Sequence, residues 1–114
     1  MYTEEIEALE IETLAQASKH LELIYELSFD GVLQNGHIAM AYAYLMGAGK
    51  HYEAEIVAKM AKLEDEVERS LLALWLLGAR LELPPYREQW QEQARDSWCL
   101  MVVGSALQNV AMMD

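Results

Sequence analysis

The sequence predicts an all-α domain of four to five helices, a helical bundle with one long central helix. Three observations carry that expectation. No stretch of useful length alternates apolar and polar residues with the period of two that a half-buried strand needs. The residues that interrupt helices are few: prolines at 84 and 85 only, glycines at 31, 36, 47, 49, 78 and 104. Finally, Tyr52, Ile56, Met60, Leu63, Val67, Leu71, Leu74, Gly78 and Leu81 recur at steps of three and four with a mean period of about 3.6, the repeat of an α-helix.

The first helix is expected over residues 4–28. Thr3 is a candidate N-cap, and Glu4 and Glu5 suit the positive end of the helix dipole. Its apolar stripe is Ile6, Leu9, Thr13, Ala17, Leu21, Ile24 and Leu27, and its outward face is mostly acidic. Asp30-Gly31 breaks it. Asn35 is the candidate cap of a short second helix, roughly 36–47, which ends at Gly47-Ala48-Gly49 because glycine adopts the left-handed conformation a helix terminus needs. The long third helix spans about 50–82, and its phase does not slip across Glu64-Asp65-Glu66. The rival reading is a break there, with Asp65 as cap and Glu68 closing a capping box. Pro84-Pro85 stops it, and Pro85 suits the first position of a last helix over about 85–111. There Trp90, Ser97, Gly104 and Ala111 recur every seven residues, and such a small-residue row lets another helix approach closely.

At 114 residues and 13.0 kDa the chain allows a single domain, 1–114. A domain this small buries only about 65% of the surface its unfolded form exposes. With 54% hydrophobic residues, some apolar surface is expected to remain for a partner. The net charge of −11 argues against direct nucleic-acid binding and against an anionic membrane surface, both of which need a basic patch. One cysteine, Cys99, cannot form an internal disulfide, which suits a reducing compartment. The first dozen residues hold Glu4, Glu5, Glu7, Glu10 and Glu12, the opposite of a basic signal-peptide start. The longest apolar run, Leu71–Ala79, falls well short of the ~20 residues that span a bilayer. The expectation is a cytoplasmic protein.

Chemistry-bearing patterns are weak. Gly47-Ala48-Gly49-Lys50 fails as a phosphate loop: Tyr44 stands where a glycine is needed, His51 replaces Ser or Thr, and no strand precedes it. The residues three before His20, His37 and His51 are Ala17, Gln34 and Ala48, so no Glu-x-x-His pair for a di-iron bundle exists, and HExxH is absent too. His20 reads as a hydrogen-bonded histidine at the core edge, and Cys99 as a small apolar filler. No catalytic, cofactor or metal residue is expected, and the chain reads as non-enzymatic.

Leu71-Leu72-Ala73-Leu74-Trp75-Leu76-Leu77 is more informative. Leu72 and Leu76 lie off the Tyr52–Leu81 stripe, and a helix that is apolar nearly all round is covered on all sides. Leu72, Trp75, Leu76 and Trp98 are therefore the candidate partner-binding residues, with the two leucines as either interface or core. Trp90, Ser97, Gly104 and Ala111 are the candidate seam for a homodimer or for internal packing.

Two resemblances follow from particular stretches. Gly49-Lys50-His51-Tyr52-Glu53-Ala54-Glu55-Ile56 resembles the turn of a tetratricopeptide unit, and Leu81-Glu82-Leu83-Pro84 resembles a unit's end, although one extra residue sits in the turn and no second copy is visible. This implies a small helical secretion chaperone covering an apolar helix of its client. As a whole, the length, the acidic opening Thr3-Glu4-Glu5-Ile6-Glu7, the all-helical pattern and the Trp-rich stretch Tyr86–Trp98 resemble the QslA-like antiactivators of LuxR-type quorum-sensing regulators. That resemblance implies a homodimer that binds a transcription factor and blocks the factor's own dimerisation surface.

Overall fold

The computed structural model describes residues 2–27, 30–81 and 83–113, with side chains from residue 4 onward. Among these residues every regular element is helical: α1 (Tyr2–Glu26), α2 (Gly31–Gly47), α3 (His51–Met60), α4 (Glu66–Trp75) continuing into a π-helical turn (Leu76–Arg80), α5 (Pro84–Ala94) and α6 (Ser97–Ala111). The all-α class is as expected, with six α-helices rather than four to five. No helix is long and apolar enough to cross a membrane among the described residues.

Aspartates at helix starts account for the differences: Asp65 and Asp96 each divide an expected helix, and Asp30 moves the start of another. Asp30, not Asn35, opens α2: its carboxylate accepts from the Leu33 amide at 3.1 Å, so α2 begins five residues early and Asn35 lies exposed one turn inside it. The long helix is interrupted between Met60 and Glu66. Asp65 accepts from the amides of Val67 (2.8 Å) and Glu68 (3.3 Å), taking up two of the orphan donors that open a helix. The Arg69 guanidinium donates to the Leu63 carbonyl (3.0 Å), holding the turn from the other side. The capping box does not close, because the Glu68 carboxylate accepts from Asn109 of α6 instead. Asp96 likewise caps α6 by accepting from the Trp98 amide at 3.1 Å, which divides the expected 85–111 helix in two. At the other end of the chain α1 starts at Tyr2, so Thr3 lies within the helix rather than before it.

α1 and α2 form an antiparallel pair. The Gln34 amide donates to the Ile24 carbonyl at one end, His20 meets His37 in the middle, and Gly47 lies against Thr13 at the other. Gly49, at φ +76°, supplies the left-handed turn into α3. α3 packs on α2, while α4 packs on α1 and on α6. The π-helical turn meets α5 at Gly78, where a Cβ would lie 2.8 Å from both the Ala94 Cβ and the Trp90 carbonyl oxygen. The helices therefore line up as α2, α1, α4, α6, with α3 and α5 closing the sides. Leu21, Ile24, Leu45, Met60, Leu72, Leu74, Leu76 and Leu77 fill the centre. The expected stripe of α1 holds from Ala17 to Ile24, but Ile6 and Leu9 are exposed, because α2 ends opposite Thr13 and residues 4–12 stand clear of it.

Candidate protein-binding surface

Leu72 and Leu76 are wholly buried, so they are core residues and not surface anchors. α4 is enclosed by α1, α5 and α6. A helix with neighbours on three sides needs apolar residues off its main stripe, which is what these two leucines are. Trp75 is half-buried, and its ring lies beneath the Arg80 guanidinium (5.9 Å to the centroid), which also stacks on Tyr52 (5.2 Å) and pairs with Glu53 (3.4 Å). Trp98 is 55% exposed.

The seam expected of Trp90, Ser97, Gly104 and Ala111 is divided. Trp90 belongs to α5 and packs internally: its indole N–H donates to Glu22 at 2.6 Å, and the Tyr25 ring meets it edge-on at 5.3 Å. Ser97, Gly104 and Ala111 all face outward on α6, and a Cβ at Gly104 would meet nothing within 4 Å. α6 carries no Asp, Glu, Lys or Arg, so its outward face is uncharged.

Trp98 forms one wall of an open cleft of about 470 Å³ at the α5–α6 elbow. Tyr25, Leu71 and Leu74 make its floor, Cys99 lies beside Trp98, and Glu92, Gln93 and Asp96 form its rim. The size is that of a pocket for one or two side chains. The floor is apolar and the rim acidic, so it suits an apolar or aromatic group that carries a positive charge nearby. Burial, and secondly the Asp96 carboxylate, push the Cys99 thiol up from its ordinary value. The thiolate form is thereby disfavoured at this wall of the cleft.

Sequence reasoning missed Tyr25, Glu92, Gln93 and Asp96, which come from three separate segments. The one available signal was Asp96-Ser97, a cap pair in the middle of an otherwise continuous helical pattern. His20 lies at the edge of the core, as its position on the apolar side of α1 predicts. Its Nδ1 faces the Nδ1 of His37 at 2.9 Å, and its ring stacks on Tyr44 at 5.7 Å. Desolvation, then the charges of His37 and Lys19, hold its pKa below the usual histidine value. Among the described residues no group of three or more His, Cys, Asp or Glu is placed to hold a metal ion.

No protein-family model matches this chain, and no curated protein or solved structure is detectably similar to it.

Proposed function

We propose that the protein is a non-enzymatic regulator that binds another protein and acts by covering an apolar surface its target needs. The observation that carries this reading is the cleft at the α5–α6 elbow, where the half-exposed Trp98 stands over an apolar floor of Tyr25, Leu71 and Leu74. A tryptophan beside a preformed pocket has the composition of an interface hot spot. The acidic rim of Glu92 and Asp96 favours an anchor flanked by lysine or arginine. The resemblance of the acidic opening, the all-helical pattern and the Trp-rich stretch to the quorum-sensing antiactivators supports a LuxR-type transcription factor as the target, its dimerisation surface being what is blocked.

The experiment is a calorimetric titration of the purified protein into the LuxR-type regulators of its own source, with operator release followed in parallel. The reading predicts saturable binding and loss of the regulator–operator complex. Trp98→Ala should weaken binding by about 2 kcal/mol or more with the helical circular dichroism unchanged. Regulators that stay on their operators at saturating protein would contradict it.

A further inference from the structure

The first part of α1 stands clear of the bundle. Every residue from Glu4 to Glu12 is exposed, over a helix length of ~14 Å. Yet Ile6 (40% exposed) and Leu9 (62%) lie in line with Thr13, on the face that α2 covers further along, from Thr13 to Ile24. α2 stops at Gly47, against Thr13, and the chain turns away through Gly49 into α3, which packs on α2. Beyond that end an open groove of about 410 Å³ is lined by Leu9, Glu12, Thr13, Gln16 and Tyr44.

We propose that this overhang is a docking site for an amphipathic helix of another protein, one whose apolar face is flanked by lysine and arginine. The docked helix lies where α2 would lie if it ran on, with its apolar face against Ile6, Leu9 and the groove. Charge complementarity selects it. At ~100° per residue, Glu5 and Glu12 lie about a quarter turn from the Ile6–Leu9–Thr13 line on one side, and Glu10 about as far on the other. No base precedes Lys19. A helix laid along the line therefore meets carboxylates at both edges, and charges in that flanking position set partner choice in helix pairs.

The same charge rejects the other occupants. A second copy would set its own glutamates against these. Nucleic acid and anionic membrane surfaces are repelled in the same way. The site shares no residue with the elbow cleft, and Leu9 lies ~24 Å along α1 from Tyr25 in the cleft floor. It does not depend on what that cleft binds.

The probe is a short synthetic helix of leucine and lysine with the leucines on one face, labelled and titrated with the full chain by fluorescence anisotropy. It should bind saturably and one to one, and more weakly as salt rises. A peptide of the same composition with the leucines scattered round the helix should bind at least tenfold more weakly, and a leucine–glutamate version should not bind. Leu9→Gln removes apolar surface and no charge, so it should weaken binding at least tenfold with unchanged circular dichroism. Leu33→Gln, also exposed but on the far end of α2, should bind like the wild type. Amide shifts in heteronuclear NMR should gather on residues 4–16 and around Tyr44. No binding, equal binding of the scattered peptide, binding of the leucine–glutamate peptide, unchanged affinity of Leu9→Gln, loss of affinity in Leu33→Gln, or shifts gathered at the elbow cleft would each overturn the proposal.

Discussion

Leu72 and Leu76 decide how the central segment is used. Because both are completely enclosed, Leu72→Asp or Leu76→Asp should unfold the chain, through several kcal/mol of uncompensated polar burial. Leu76→Ala should cost about 2–5 kcal/mol; urea denaturation followed by circular dichroism measures both. Sequence pattern places such residues off the stripe but cannot count the neighbours of their helix, which is why core and interface could not be separated there. Buried polar groups are illegible for a related reason. Gln34 reads as an ordinary polar position, yet it is fully buried and donates to the Ile24 carbonyl and to Ser70. The His20–His37 contact adds a pH dependence. His20 has a folded pKa below its unfolded value, so its contribution to stability is present above the unfolded value and is lost as pH falls toward the folded one. Stability should therefore fall as pH drops below about 6.5, the ordinary histidine value, and the fall should be smaller in His20→Asn; denaturant midpoints on either side of that value report it.

At the level of helices, the periodicity of the sequence was right about the buried face at Ile56, Met60, Leu63, Leu71, Leu74 and Leu81, wrong at Tyr52 and Val67, which are exposed, and wrong about continuity. Leu63 lies in the turn between α3 and α4 but is still buried, as are Met60 before it and Leu71 after it. A short turn that keeps the apolar side inward preserves the 3.6-residue phase, so phase alone cannot report the break. The local signals were the aspartates. Asp65→Ala should cost about 1 kcal/mol by releasing two amides at the start of α4. Asn35→Ala should stay within about 0.5 kcal/mol, because Asn35 is an exposed residue inside α2 and caps nothing. Glycines separate in the same way. Gly78→Ala forces a methyl against the Trp90 carbonyl and Ala94 at 2.8 Å and should destabilise by about 1–3 kcal/mol. Gly36→Ala, in open space within α2, should stabilise by about 0.5–1 kcal/mol. Thermal or urea unfolding of the four variants checks the order.

For the molecule as a whole, the division of charge was legible from the sequence, whereas the elbow cleft was not, since it gathers residues from α1, α4, α5 and α6 that no linear spacing relates. That division gives the proposed cleft contact a defined response to salt. Capture of a basic-flanked anchor by the rim of Glu92 and Asp96 should weaken as salt screens the attraction. Affinities measured at low and high ionic strength report it. The central claim, that the cleft beside Trp98 receives the protein partner, is tested most directly by the indole N–H signals of the three tryptophans in heteronuclear NMR as a LuxR-type regulator is added. The Trp98 signal should shift or broaden to saturation while that of Trp90, held by Glu22, stays in place. A regulator that binds and leaves the Trp98 signal unmoved would contradict the account.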